Sequence, residues 1–468
     1  MKNIVKICVK VITLLLITFL LLYSFSEFFR PNKLARPSDM TSKVDGFYGL
    51  EENTMDVLLF GTSHIFYGIN PSILWRNNNI NSYVFGGECQ PLEITLAYMK
   101  ESFKTQSPQL IILDVFGVSN SIESCRTDGS TKVNTEDLKL NQNKIDAAST
   151  YDMDMLFNIF DVAKYHNRLF EMDKKDFENG YSHFNNTNFG FTLAYPYGQY
   201  ESYYEYSHDD AFVMPEKSKI DLLDEINNLC KENDSQLLLI KTPYYASDED
   251  ALIYNYIENY AKENEIEFIN FNKLLSTIDY EFDFDGSTWH ANVLGSMKLT
   301  SYLSNYINHN YNLDQSSDFY SNDYNNLYIK TEVAALNKIT DLKDWIEIAK
   351  SLDGTIIVNY QGSDKLWLPD EQIQLLIDLG LDIQQVDKNQ IILLDYNKQT
   401  REKSSEDIQF IINNHEIEVN TRGELIVDEK LMNSPETNLT LSIIDNSSGY
   451  IIDTISVSTV GDTYIFRK

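Results

Sequence analysis

The sequence predicts an α/β protein built on a parallel sheet with flanking helices, followed by a strand-rich α+β domain and preceded by one apolar helix. Three observations predict it. Short apolar runs alternate with helical spacing between residues 55 and 312. Several short β-like runs then follow one another from residue 354 onward. An almost unbroken apolar stretch, Val11 to Tyr23, lies behind Lys2, Lys6 and Lys10.

With Ile4, Val5, Ile7, Cys8 and Val9, that stretch reaches about 20 residues, enough to span a bilayer. The basic flank predicts an N-in, C-out orientation. The following Ser-Phe-Ser-Glu-Phe-Phe-Arg-Pro has bulky aromatics and no small-x-small cleavage site. An uncleaved signal anchor over residues 1–27 is therefore expected rather than a removed signal peptide. Residues 28–54 read as a polar linker.

Met55–Phe60 is a buried strand ending at Gly61, residues 91–105 a helix with Pro91 in its first turn, and Leu110–Val115 a second strand. Residues 120–215 are Tyr-, Asn- and Asp-rich and read as an irregular insertion covering a sheet edge. A helix over Lys217–Glu232, a strand over Gln236–Lys241, a helix over 249–264, a strand over Ile266–Asn270 and a helix over Val293–Ile307 complete the domain, 55–312. A Ser/Asn/Asp-rich linker at 313–326 leads to a domain over 327–468, with strands at Gly354–Tyr360, Ile391–Asp395, Ile408–Ile412, Glu416–Asn420, Leu439–Ile444 and Tyr450–Ser456. Its helix, Pro369–Leu379, stops at Gly380.

The chain has 468 residues, enough for two domains and an anchor, and a formal net charge of −32. A polyanion would be repelled, so nucleic-acid binding is not expected. No Cys-x-x-Cys or Cys/His cluster supports a metal, no nucleotide fingerprint supports oxidoreduction, and no cofactor is expected. Asp248-Glu-Asp250 reads as a solvated helix start rather than a glycosidase pair. Cys8 lies in the apolar segment. Cys89, Cys125 and Cys230 are an odd number; free buried thiols are expected, with Cys125–Cys230 the bridge weighed against them.

In such α/β sheets, ligands sit at the carboxyl ends of the strands. Two acid/base-bearing turns fall there. Gly61-Thr-Ser63-His64 follows the first strand, and Asp283-Phe-Asp285-Gly-Ser-Thr-Trp-His290 follows the last. Acyl transfer by serine needs an imidazole base, an acid to orient it, and N–H donors for the oxyanion. A serine at a Gly-containing turn into a helix can aim both its Oγ and its own N–H at one substrate. His290 is the candidate base, and Asp285 or Asp283 the acid.

Phe60-Gly-Thr-Ser-His64-Ile-Phe-Tyr-Gly-Ile-Asn-Pro71 resembles the first block of the bacterial SGNH (GDSL-like) hydrolases. Phe85-Gly-Gly-Glu-Cys-Gln90 resembles the second, and Trp289-His290-Ala-Asn-Val-Leu-Gly295 the last. Tyr165-His-Asn-Arg168 is similar to a segment of the membrane-anchored branch, the DltD/AlgX-type acyl-transfer proteins. The resemblance covers about residues 50–312. It implies an SGNH-type, flavodoxin-like sheet, Ser63 as nucleophile, and oxyanion donors at Ser63 and Gly87. The family's acid stands three residues before the histidine, where this chain has Ser287, so the role passes to Asp285, with Asp283 as alternative. The usual third-block Asn donor is not evident; Asp114 and Asn120 stand nearby, and Gln90 is the candidate replacement. His64 reads as a neighbour of the turn or a substrate contact, and His166 with Arg168 as a substrate-binding pair or a buried polar network.

Gly354–Tyr360, Val419-Asn-Thr-Arg-Gly423 and Ile443-Ile-Asp-Asn-Ser-Ser-Gly449 resemble the interleukin-like ILEI/PANDER-type domain, which occurs beside glycan-active enzymes. Tyr360, Trp367, Tyr396 and Tyr450 are its candidate exposed aromatics. Together the resemblances imply an extracytoplasmic esterase or O-acyltransferase acting on acyl, chiefly O-acetyl, esters of a cell-surface glycan or teichoic-acid-like polymer, beside a membrane-bound O-acyltransferase. The alternative is an inactive glycan-binding or assembly protein of the cell envelope.

Overall fold

The computed structural model describes residues 2–29, 39–150, 166–170, 172, 174, 188–194, 211–274, 278, 283–286, 289–314, 318–362, 368–395, 399–433, 437–458 and 465–467. The chain divides into two compact units near Asn325.

The N-terminal helix runs Lys2–Phe29. Its segment Ile4–Phe25 is 22 residues long and apolar enough to cross a membrane. Its hydroxyls do not interrupt that character: Thr13 Oγ1 and Ser24 Oγ each donate to the carbonyl four residues back, at 2.9 Å. The chain is thereby equipped for membrane association.

Five parallel strands form the sheet of the first unit: β1 (Val57–Gly61), β2 (Ser82–Gly86), β3 (Leu110–Asp114), β4 (Gln236–Lys241) and β5 (Glu267–Asn270). Their order, β2-β1-β3-β4-β5, is that of a doubly wound, flavodoxin-like sheet, with the direction of winding reversing between β1 and β3. β1 and β3 are buried at every residue, as expected of strands covered on both faces. On one face, Val57, Leu59, Ile112 and Ile240 pack with Ile65 and Ile69 and with Leu299, Leu303 and Ile307 of the helix Val293–Asn310. The register aligns Gly61 with Gly86 and Asp114 with Ile240, so the strand ends that carry the candidate residues share one edge.

Several expectations are corrected. Within the expected 28–54 linker, Asp39–Tyr48 is a helix that buries Val44 and Phe47. β2 was not foreseen as a strand. Residues 121–149 are not irregular: they hold helices at Ser121–Cys125, Asp128–Glu136 and Gln142–Ser149. Further along the insertion, Phe189 O accepts from Val84 N at 2.9 Å, so this segment does border the β2 edge. The second half of the 313–326 linker begins the helix Ser321–Asn337, where Tyr324 is buried, stacks on Trp75 and Phe189, and hydrogen-bonds both backbone groups of Ser82.

The second unit is antiparallel and β-rich. One sheet joins β6 (Gly354–Tyr360), β7 (Gln390–Leu394), β8 (Thr400–Ser404), β13 (Leu439–Asp445), β14 (Ile451–Val457) and β15 (Ile465–Phe466). The other joins β9 (Ile408–Ile412), β10 (His415–Val419), β11 (Leu425–Val427) and β12 (Lys430–Asn433). β9 alternates buried and exposed residues, whereas β6 is buried throughout. Tyr360 is therefore core, with its hydroxyl donating to Val386 O at 3.1 Å, rather than an exposed aromatic. Tyr450 is exposed. Trp367 and Tyr396 lie outside the described residues.

Candidate active site

β1 delivers the chain to Gly61, whose φ of +148° brings its α-carbon against the β3 end; a Cβ there would lie 2.9 Å from Asp114 Cβ. Thr62 then caps the short helix Ser63–Gly68, its hydroxyl accepting from His64 N. Ser63 opens that helix, so its N–H has no acceptor within the helix. Asp114, at the end of β3, is buried. It accepts from Phe116 N at 3.0 Å and from Thr242 N and Oγ1 at 2.8 and 2.6 Å. Asp114 thus ties the ends of β3 and β4 together and acts as scaffold. Asn120 is exposed, bonded to Glu249 and Asp250.

The loop carrying His290 is pinned at its base. Phe284 and Ala291 form an isolated antiparallel bridge, and Asp285 N donates to His290 O at 3.0 Å. Asn292 N donates to Asp283 O, while its side chain accepts from Leu294 N and Gly295 N at the start of the next helix. So held, His290 Nε2 lies 2.9 Å from Ser63 Oγ. His290 Nδ1 lies 3.4 Å from Asp285 Oδ2, looser than the approximately 2.6–3.2 Å of a hydrogen-bonded acid–base pair. Asp283 is fully buried, and Lys298 Nζ donates to both its oxygens, at 2.9 and 2.7 Å. Of the two aspartates, Asp285 is the one near the imidazole. Ser287 lies outside the described residues.

The expected oxyanion donors separate. Gly87 N donates to Gly61 O at 3.1 Å, so this amide is already engaged. A Cβ on Gly87 would meet Asn134 Oδ1 at 2.1 Å and Gln90 Oε1 at 2.3 Å, which restricts the position to glycine for packing. Gln90 is buried behind it, donating through Nε2 to Thr95 Oγ1 at 2.9 Å. Neither Gly87 nor Gln90 lines the cavity at Ser63. Both expectations are therefore corrected: the Gly87 amide and the Gln90 side chain turn inward to pack, while Glu88 and Cys89 between them line the cavity.

That cavity has a volume of about 540 Å³. Ser63 and His290 share it with His64, Tyr67, Phe116 and Trp289, and a Cys89–Cys125 disulfide forms part of its wall. The bridge corrects the cysteine expectation. Cys89, with φ of +44° in the turn that follows β2, and Cys125, at the end of a five-residue helix, are brought to a Cα separation of 5.7 Å. Cys230 is a free buried thiol, its pKa pushed up to about 12 by burial.

His64 is 4% exposed. Its ring stacks on Phe116 at 4.2 Å, with Tyr244 edge-on at 5.0 Å and His290 at 5.5 Å. Burial first, then the charges of Lys241 and His290, hold its pKa well below the usual histidine value, so it is a neutral imidazole. Lys241 is itself buried, 3.9 Å from Asp114, with its pKa lowered to about 8 by desolvation against the opposing pull of Asp114 and Asp250.

Sequence reasoning missed the disulfide, Phe116 and Tyr67. Trp289 was in view only as the neighbour of His290. Arg168 lies on a short turn, His166–Phe170, and does not line the cavity among the described residues; Tyr165 and the His166 side chain lie outside them.

The chain matches no protein-family model and no curated protein. Weak likenesses to solved structures exist. One is to a putative acylhydrolase from Bacteroides fragilis, at TM-score 0.28 and 12% identity, covering 56% of this chain and 94% of that one. Another is to a GDSL-like lipase from Bacteroides thetaiotaomicron, at TM-score 0.26 and 14% identity, covering 54% and 87%. At these scores neither carries an argument about chemistry, which rests on the side chains themselves.

Proposed function

We propose that this chain is an SGNH-type serine esterase or O-acyltransferase, anchored by its N-terminal helix with both globular units outside the cytoplasm. Its substrates are acyl esters, chiefly O-acetyl, of a cell-surface glycan or teichoic-acid-like polymer. The observation that carries the reading is the 2.9 Å approach of Ser63 Oγ to His290 Nε2. Asp285 stands on the other ring nitrogen, and an aromatic cavity opens at the serine.

The chemistry follows from those positions. Ser63 Oγ attacks the ester carbonyl while His290 Nε2 takes its proton. The Ser63 N–H stabilises the oxyanion. Collapse breaks the ester C–O bond, His290 returns the proton to the leaving alcohol, and an acyl-Ser63 ester remains. Water, or a hydroxyl of an acceptor, then attacks with His290 as base; the first outcome is hydrolysis and the second transfer. Asp285 orients the imidazole and balances its transient charge. A membrane-bound O-acyltransferase is the partner that would supply or receive the acyl group. The β-rich second unit is read as an interleukin-like, ILEI/PANDER-type domain that holds the polymer near the site, raising its local concentration.

The engaged Gly87 amide favours a second reading, an inactive glycan-binding or assembly protein, because one expected oxyanion donor is not free. Covalent labelling separates the two. A fluorophosphonate probe is expected to modify the full-length protein at Ser63, with no labelling in Ser63→Ala. Absence of labelling in the wild type, with no turnover of an aryl acetate, favours the second reading.

A further inference from the structure

A buried polar atom without a partner is uncommon and calls for an explanation. Among the described residues that line the cavity, one such atom is found. His64 lines the cavity, yet its Nδ1 is buried and has no hydrogen-bond partner among the described residues. Nothing in the ring's placement looks loose. It is stacked on Phe116, met edge-on by Tyr244, and set against Trp289 at 6.4 Å and His290 at 5.5 Å. Nδ1 is closed off from the cavity where it stands, and a half-turn of the ring within its stack would bring it within reach of a cavity ligand that supplies the missing partner.

The chemistry of that ligand can be narrowed. His64 is neutral, so it offers one donor and one acceptor and no charge. Among the described residues no Lys or Arg lines the cavity, and exposed Glu88 does, so an anionic acyl group or phosphate would be disfavoured. A hydroxyl is both donor and acceptor and matches either tautomer of the ring. Trp289, 40% exposed, and Tyr67 offer aromatic faces on which the C–H face of a saturated ring can rest. A volume of about 540 Å³ leaves room for an acetyl group together with such a ring.

The geometry points to His64 as a specificity-determining residue that hydrogen-bonds a hydroxyl of the sugar ring bearing the ester, while Trp289 and Tyr67 pack against that ring. The inference deepens the esterase or acyltransferase reading and rests on it for the identity of the ester. Its binding component is measurable without turnover.

The test uses the full-length protein and a mono-O-acetylated methyl glycoside as probe, with an aryl acetate as a substrate that lacks hydroxyls. In the Ser63→Ala background, adding His64→Phe keeps the stacked ring and removes both ring nitrogens. It should weaken glycoside binding about tenfold by calorimetry, and His64→Asn should recover part of the loss. In the active protein, His64→Phe should lower kcat/KM on the glycoside, mainly through KM, about tenfold more than on the aryl acetate. The rate of fluorophosphonate labelling reports whether each variant is folded at the serine.

Equal losses on both substrates would overturn the inference, as would no detectable glycoside binding, or binding that His64→Phe leaves unchanged. His64-dependent binding with no fluorophosphonate labelling of the wild type would keep the sugar contact and overturn the catalytic reading. Labelling at Ser63 with glycoside binding indifferent to His64 would do the reverse.

Discussion

Among the described residues two histidine–aspartate pairs lie one in each unit, and they differ in an instructive way. His415 Nδ1 is 2.7 Å from Asp428 Oδ2, the tighter contact. His290 Nδ1 is 3.4 Å from Asp285 Oδ2. By distance alone the first would be the better acid–base pair. Yet His415 is a partly exposed residue at the start of β10 and Asp428 an exposed one in the turn between β11 and β12, and the other Asp428 oxygen accepts from Glu416 N. The pair fastens a β-turn in which Asp428 and Glu429 both have positive φ. His290 instead has a serine hydroxyl on its second nitrogen and a cavity in front of it. What marks a candidate site is the third partner and the space, not the shortness of the ion pair.

The largest expected effect breaks or sustains that distinction directly. Ser63→Ala and His290→Ala should each reduce turnover of an aryl acetate by about 10³-fold or more, since nucleophile and base act as a unit. Fluorophosphonate labelling should vanish in the first. Intact turnover in Ser63→Ala would place the chemistry elsewhere.

A smaller effect separates the two aspartates of one loop. Asp285→Asn should lower kcat by about 10²-fold, less than in a tight triad because the contact is long. Its Tm should hardly change. Asp283→Asn should act oppositely, since Asp283 is buried and pairs with half-exposed Lys298. Removing the partnered charge there should cost about 1–3 kcal/mol in denaturant unfolding, with the smaller kinetic effect. If Asp283→Asn is the slower variant, the acid has been misassigned.

The sequence made parts of this legible and hid others for identifiable reasons. Residue types at strand ends brought Ser63 and His290 into consideration, because a parallel sheet gathers its carboxyl ends on one edge. The choice between Asp285 and Asp283 was not readable, because it depends on Lys298, fifteen residues beyond Asp283 and a neighbour only through the fold. The Cys89–Cys125 bridge was masked by an odd count of three cysteines outside the apolar segment. β2 was missed because Ser82–Gly86 offers only Tyr-Val-Phe between small residues. The helix Asp128–Glu136 was missed because it is polar, although Thr127 and Ser130 form a capping box at its start. Tyr360 looked like a sugar platform only until β6 proved buried throughout.

The disulfide offers the next contrast, because it lies in the wall of one region and has no counterpart among the described residues of the other. Replacing Cys125 by Ser opens a loop with a sequence separation of 36 and should lower stability by about 2–4 kcal/mol. It should also reduce kcat/KM on an aryl acetate several-fold, because Cys89 and Cys125 both border the cavity. The check is denaturant unfolding alongside turnover, each with and without reductant on the wild type. Turnover unaffected by reduction would mean the wall holds its shape without the bridge.

Acid sensitivity distinguishes the buried imidazole of the first region from the exposed one of the second. The His64 pKa is held below its unfolded value of about 6.5, so the unfolded chain binds the extra proton first. Its neutral form is therefore at full advantage above pH 6.5. Stability is lost as pH falls below that value, with a slope of up to about 1.4 kcal/mol per pH unit. Urea unfolding of wild type and His64→Phe between pH 7.5 and 5 should show the wild-type curve falling more steeply. Parallel curves would mean that His64 is solvated and free to protonate when folded.

The exposed pair should give the smallest effect. His415 holds the Asp428 carboxyl below its usual range, with the Glu416 amide adding to the same direction. A depressed carboxylate contributes above its unfolded pKa and loses that contribution as pH falls through its folded value, so any gain is present at neutral pH and disappears only in acid. Solvent and salt screen such a contact, and surface pairs of this kind often contribute nothing measurable. His415→Ala should therefore leave both the Tm and aryl acetate turnover within experimental error at pH 7, although it removes the shorter of the two histidine–aspartate contacts. A fall in turnover comparable to that of Asp285→Asn would show that the second unit's pair takes part in the chemistry. The argument from third partner and cavity would then be wrong.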